Sequence, residues 1–171
     1  MNNFYRFGIL GLMLLFFLGW ILNCTGLETT PRPHPIQFAP SEMKASAWIE
    51  TPQWTNTNIF DLPARTCQIK NNSFDSRTLE EAQLFVYAKV NNQIRLLPFS
   101  TQINESELRF DYTFSKNTDL KIVAIGSNGN LAPLEEKISY RYLLISNSLI
   151  KKINADMRDY ASIKALLDLK D

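Results

Sequence analysis

Two cysteines and one histidine are the residues that could supply thiol or imidazole chemistry. Cys24 follows a long apolar run, His34 lies in a proline-rich stretch, and Cys67 lies in the segment PARTCQIK. None of them has a second ligand at the spacing of a zinc site, and His34 offers Cys67 no plausible activation as a nucleophile. An oxidising compartment would permit a disulfide between the cysteines. Without that bridge, we expect Cys67 to be a small, semi-buried hydrophobic residue.

Four carboxylates could supply a pair for general acid and base catalysis: Asp61, Glu80, Glu81 and Asp111. An unrecognised hydrolase is the weaker alternative, because acids at strand ends and helix starts usually face water or cap a helix. The chain also lacks HExxH, G-x-S-x-G, a glycine-rich phosphate loop and paired zinc cysteines. We therefore predict no catalytic residue, no metal and no cofactor, and we expect that the protein is not an enzyme.

Four aromatic residues are candidates for a binding surface: Trp48, Trp54, Phe85 and Tyr87. If their rings are exposed together, they form a platform for a glycan or a protein. Aromatic residues on strands belong mostly to the core, however, so burial of the four rings would remove this hypothesis. A structural or assembly component of the cell envelope is the remaining possibility, and the sequence does not separate it from a binding module.

The charge of the chain argues against nucleic acid as a partner. The 171 residues include 18 basic and 17 acidic side chains, which gives a net charge of +1. Arg6 is the only charged residue before Cys24, so the rest of the chain is neutral. Because nucleic-acid binders need a basic face, we predict no nucleic-acid partner. The 45% hydrophobic and 20% charged composition is that of a globular protein.

The elements that position these residues begin with an apolar segment at residues 7–22, which follows Arg6 and carries no charge. The segment is short for a membrane span, which needs about 20 residues, and its length fits the core of a signal peptide. Either function places Arg6 in the cytoplasm and the rest of the chain outside. No small-residue cleavage site of the A-x-A type precedes Cys24.

An apolar core followed directly by a cysteine resembles the signal of bacterial lipoproteins. Ile21 matches the aliphatic position three residues before the cysteine, whereas Leu22 and Asn23 differ from the small residues usual there. The resemblance implies that residues 1–23 are removed and that Cys24 becomes a lipid-bearing N-terminus, modified for example by palmitate. An uncleaved transmembrane anchor and a buried structural cysteine are the alternatives. Acylation of Cys24 would also exclude a disulfide with Cys67.

Residues 24–44 contain four prolines and almost no apolar periodicity. Prolines at 31, 33 and 35 favour an extended, semi-rigid spacer. We therefore predict that residues 24–44 form the attachment site and tether, and that residues 45–171 form the folded domain.

The domain sequence has the alternation of β-strands. QLFVYAKV places Leu84, Val86, Ala88 and Val90 on one face, and the Asn91-Asn92 turn allows IRLLPFS to return as a hairpin partner. LRFDYTF places Leu108, Phe110, Tyr112 and Phe114 on one face. LKIVAIG is apolar on both faces, which predicts a central strand covered on both sides. KISYRYLLIS places Ile138, Tyr140, Tyr142 and Leu144 together.

Two helices complete the predicted fold. Thr78 and Glu81 have the spacing of a capping box before the strand at Gln83. Asp159 can cap a second helix, whose apolar stripe is Tyr160, Ile163, Leu166 and Leu167. We expect a mainly β protein, an antiparallel β-sandwich of about seven strands with a short C-terminal helix docked on it.

Segments of this domain also resemble those of small uncharacterised lipoproteins of the Bacteroidota. The segments are WIETPQW, FDLPA, LFVYAKV followed by RLLPF, YRYLLI and DYASIKALLDLKD, and they span most of residues 48–171. Ser146, Asn147 and Ser148 stand where related chains often have glycines. The resemblance implies a lipid-anchored β-rich domain outside the cytoplasm, on the periplasmic or cell-surface face of the membrane and most readily the outer membrane. It implies no activity, and the protein or glycan partner is unknown.

Overall fold

The computed structural model describes residues 35–51, 53–70, 76–103, 106–114, 119–126, 131 and 137–170. These residues lie within the unit Pro33–Asp171. The signal segment 1–23, Cys24 and His34 lie outside the described residues, so their predicted roles stay predictions.

The described residues form ten strands and three helices. The strands are β1 (Met43–Ala45), β2 (Ile49–Glu50), β3 (Thr55–Ile59), β4 (Leu62–Ile69), β5 (Ala82–Val90), β6 (Gln93–Leu96), β7 (Phe99–Ile103), β8 (Ser106–Phe114), β9 (Leu120–Gly126) and β10 (Ser139–Ser146). The helices are α1 (Ser76–Glu81), α2 (Asn147–Ile150) and α3 (Tyr160–Leu166). The short helix predicted before Gln83 is present as α1, which begins two residues earlier than Thr78.

The strands form two antiparallel sheets that pack as a sandwich. Sheet A has the order β1-β10-β5-β6, with β2 also paired to β10, and sheet B has the order β3-β4-β9-β8-β7. The predicted fold class, mainly β with an antiparallel sandwich and a C-terminal helix, is confirmed. The strands outnumber the expected seven partly because IRLLPFS is not one strand. It divides at Leu97-Pro98 into β6 of sheet A and β7 of sheet B, since proline interrupts a strand ladder.

Two hairpins are closed by turns of the same type. Asn91 and Asn92 have φ angles of 48° and 61° between the paired residues Val90 and Gln93. This is the two-residue turn that the asparagines predict. Phe60 and Asp61 adopt the same conformation, with φ angles of 49° and 63°, between Ile59 and Leu62.

The main core lies between the sheets. Sheet A contributes the predicted face of β5, and sheet B contributes β9 and the start of β8, where Leu108 and Phe110 are fully buried. Tyr112, predicted on the face of Leu108 and Phe110, is only partly buried, and its hydroxyl donates to the Leu84 carbonyl at 3.2 Å. Phe114, predicted on the same face, is 37% exposed at the end of β8. The alternation is therefore confirmed where the second sheet covers β8.

A second apolar cluster covers the outer face of sheet A. Leu143 and Ile145 of β10 pack against α3 and the residues after it, including Leu167. Asp159 caps α3, because its carboxylate accepts the Ser162 backbone N–H at 3.2 Å. The predicted docking of the C-terminal helix on the β core is present.

Residues 35–44, predicted to belong to the spacer, contact the domain. The Ile36 N–H donates to the Leu166 carbonyl at 2.9 Å, and Ile36 and Phe38 pack against the second cluster. Strand β1 begins at Met43 and pairs with β10. The apolar residues between the prolines account for this packing, since each removes apolar surface from water. The folded region therefore begins before residue 45.

Candidate functional site

A groove on the outer face of sheet B is one of the concave surfaces among the described residues. It has a volume of about 760 Å³, within the usual range of ligand sites. We call it the sheet-B groove. Its lining includes Phe60, Leu62, Arg109, Asp111, Val123 and Ile125.

Strand β9 forms the floor of the sheet-B groove. Its alternate residues Leu120, Ile122 and Ala124 are fully buried between the sheets. Val123 and Ile125 therefore face the other way, since side chains alternate along a strand. The central position predicted for LKIVAIG is confirmed. On its second apolar face Val123 is buried, as expected, whereas Ile125 is only partly buried, and both residues line the groove.

The β3–β4 hairpin provides an aromatic wall. Phe60 is 95% exposed and Leu62 is 45% exposed. A bulky residue in the left-handed region costs on the order of 1 kcal/mol, and asparagine adopts this conformation more readily, as the turn at Asn91 and Asn92 shows. Neither burial nor backbone preference accounts for phenylalanine at position 60. Such a residue is a candidate for function.

Strand β8 provides a polar wall. The Arg109 Nη2 atom lies 3.4 Å from the Asp111 Oδ2 atom, and both side chains are exposed to solvent. Asp111 Oδ1 also accepts the Tyr112 backbone N–H at 2.8 Å. Register places Arg109 beside Ile125 and Asp111 beside Val123. The ion pair adds little stability at the surface, but it places a donor and an acceptor next to the apolar floor.

The four aromatic residues predicted as a platform do not form one. Tyr87 is fully buried, and its hydroxyl donates to the Met157 carbonyl at 2.8 Å. Trp48 and Phe85 pack with it in the second cluster, whereas Trp54 packs against the core between the sheets. The hypothesis of one exposed surface is wrong. The face of β5 opposite the main core is covered by the C-terminal residues, which strand alternation does not reveal.

Trp48 and Tyr87 instead surround a buried arginine. Arg141 is 4% exposed and donates to the Tyr160 hydroxyl and the Lys170 carbonyl, both at 2.7 Å. Its guanidinium lies 6.0 Å from the Trp48 ring centroid, and the Tyr160 ring makes edge contacts with Trp48 and Tyr87. Arg141 Nε has no hydrogen-bond partner among the described residues. We call this arrangement the C-terminal clamp, because it fixes the chain after α3 to sheet A.

Cys67 is a free thiol in the main core. Burial raises its pKa to about 12. A thiol with such a pKa carries almost no thiolate at neutral pH and is a poor nucleophile. This supports the expectation that Cys67 is a packing residue.

The candidate carboxylates lie on three different elements. Asp61 is in the β3–β4 turn, Asp111 is on β8, and Glu80 and Glu81 are in α1. Within the described ranges, no group of three or more histidine, cysteine, aspartate or glutamate side chains is placed to hold a metal ion. No helix in the described part of the chain is long and apolar enough to cross a membrane.

The sheet-B groove combines apolar, aromatic and charged side chains. Sequence reasoning missed it, although two signals were present: the apolar outer face of LKIVAIG and a phenylalanine in a hairpin turn. Comparison with protein-family models, with curated proteins and with solved structures finds no match.

Proposed function

We propose that the protein is a lipid-anchored binding module of the cell envelope, which holds another protein in the sheet-B groove. The exposed Phe60 carries the proposal, because folding gives no reason for an aromatic residue in that turn. Aromatic residues at the centre of an interface often dominate the binding free energy.

The arrangement of the groove supports a protein partner. Val123 and Ile125 form an apolar centre, and Arg109 and Asp111 form a charged rim. Protein interfaces commonly combine an apolar centre with a polar rim. The rim would orient a partner and select it by charge, whereas Phe60 would supply contact area.

The location rests on the sequence. From the lipoprotein-like signal we propose that Cys24 is acylated and that residues 1–23 are removed. From the resemblance to Bacteroidota lipoproteins we propose an extracytoplasmic position. Several acyl chains hold a protein durably on a bilayer, because each buried CH₂ contributes about 0.8 kcal/mol. The proposed activity is recognition, without catalysis.

Site-specific photo-crosslinking in the native membranes tests the groove. A crosslinking amino acid replaces Leu62 in one full-length protein and Phe114 in another. Phe114 is the matched control, since it is exposed on sheet B but does not line the groove. We expect one discrete protein adduct from position 62 and none from position 114.

A second substitution shows whether the adduct depends on Phe60. Phe60→Asn suits the turn and leaves the groove floor unchanged. If Phe60 is a central anchor worth about 2 kcal/mol or more, this variant lowers the adduct yield from position 62 by at least about tenfold. Equal adducts from both positions, or an adduct unchanged by Phe60→Asn, would contradict the proposal.

A further inference from the structure

A second concave region lies at the open edge of the sandwich, between β6 of sheet A and β7 of sheet B. It has a volume of about 330 Å³, at the lower end of the range for small-ligand sites. We call it the edge pocket. Its polar lining residues are Asn91, Gln93, Arg95, Thr101 and Gln102, and Phe99 lies beside them.

Polar side chains that are exposed to solvent occupy the inward-facing positions of β6 at this edge. Register pairs Ala88 with Arg95 and Val90 with Gln93. Paired residues share a face, so Arg95 and Gln93 lie on the face of sheet A that packs against sheet B. Inward positions of a sandwich are ordinarily apolar.

Strand β7 shows the same departure from the apolar pattern. Thr101 lies between Phe99 and Ile103, which pack with the main core, and alternation places all three on one face. An inward charge on an edge strand can prevent sheets from joining edge to edge. That role accounts for Arg95 but not for the Gln93 amide and the Thr101 hydroxyl, which also face inward.

Arg95 is held in place by its neighbours. Its Nη2 donates to the Gln93 Oε1 atom at 2.8 Å, and its Nη1 donates to the Ser100 carbonyl at 3.4 Å. Its Cζ lies 5.7 Å from the Phe99 ring centroid. Phe99 is itself stacked on Phe110 with the centroids 5.3 Å apart. Within the described ranges, no carboxylate pairs with Arg95. A positioned guanidinium without an acidic partner can bind a carboxylate with two parallel hydrogen bonds.

The other lining groups indicate the rest of the ligand. Amide side chains both donate and accept hydrogen bonds, and the Thr101 hydroxyl does the same. Adjacent hydroxyl groups of a sugar ring require such mixed partners. We propose that the edge pocket binds a sugar acid, with the carboxylate of a uronic acid unit on Arg95 and its hydroxyls on the amides and Thr101.

Saturation-transfer NMR on the full-length protein in detergent tests this site. The probes are D-glucuronate, D-glucose and acetate. We expect glucuronate to bind, glucose to bind at least about tenfold more weakly because it lacks the charged contact, and acetate alone to give no signal. Absence of binding by glucuronate, or equal binding of acetate and glucuronate, would overturn the proposal.

Substitutions in the edge pocket test whether glucuronate binds there. Arg95→Gln should reduce glucuronate affinity to that of glucose, and Thr101→Val should weaken both sugars. Arg158→Gln is the matched control, because Arg158 is exposed but does not line the pocket. Glucuronate binding unchanged by Arg95→Gln would contradict the assignment. The sheet-B groove and the edge pocket share no lining residue, so failure at the edge pocket leaves the groove proposal intact.

Discussion

Phe60 and Asn91 occupy the same first position of two similar turns, which allows their backbone preferences to be compared within one protein. We predict that Phe60→Asn raises the free energy of unfolding by about 1 kcal/mol, because asparagine adopts the left-handed region with less strain. Urea denaturation of the two proteins measures the difference. Destabilisation by this substitution would show that the phenylalanine serves folding, and the argument for its role in binding would fail.

Cys67 gives a pH-dependent prediction. A cysteine thiol in an unfolded chain has a pKa of about 8.5, whereas burial raises the pKa of Cys67 to about 12. Between these values the folded state keeps a proton that the unfolded state has lost, so stability falls as pH rises. Relative to Cys67→Ala, the wild type should lose about 2 kcal/mol between pH 9 and 10.5, at about 1.4 kcal/mol per pH unit.

Urea unfolding of both proteins in reductant measures this difference. The alanine variant is the control for the tyrosines of the core, whose hydroxyls are present in both proteins. Parallel loss of stability in the two proteins would show that the Cys67 thiol titrates normally in the folded state.

At the scale of elements, residues 35–45 act as part of the domain. A chain that begins at residue 35 keeps β1 and the contacts of Ile36 and Phe38 with the second cluster. A chain that begins at residue 46 loses all of them. We expect the shorter chain to be less stable by about 2 to 4 kcal/mol, since full burial of one apolar side chain contributes about 1.5 to 3 kcal/mol and these side chains are only partly buried. Thermal or urea unfolding of the two chains provides the comparison, and equal stability would mean that residues 35–45 contribute no packing.

The sequence predicted the strands and helices better than it predicted which faces of the sheets are covered. Alternation correctly paired Leu108 with Phe110 and predicted the docking stripe of α3, because a core selects one face of each element. It could not show that Tyr87 is covered, since the covering residues are about seventy positions later in the chain. The groove was missed because the outer face of LKIVAIG was expected to lie under a second layer, whereas Ile125 on that face is only partly buried and lines the groove.

At the scale of the whole molecule, we predict that attachment to the membrane depends on Cys24, which lies outside the described residues. If Cys24 carries the lipid, the mature protein begins at Cys24, and Cys24→Ser prevents both acylation and removal of residues 1–23. Mass spectrometry of the membrane-extracted proteins measures both events. Cys67→Ala is the matched control and should leave the lipid mass unchanged. An N-terminal peptide that retains residues 7–22 beside an unmodified Cys24 would favour the transmembrane alternative.

The order of strands in sheet A determines when the sheet can form during synthesis. Strand β10 lies between β1 and β5 and also pairs with β2. In the described sheet, β1 and β2 therefore have no neighbouring strand until the ribosome has made Ser139–Ser146, and β5 has only β6. Contacts between residues so distant in the chain form slowly. A nascent chain that stops before β10 can form hairpins such as β3–β4, but it leaves its earliest strands unpaired and open to association with other chains.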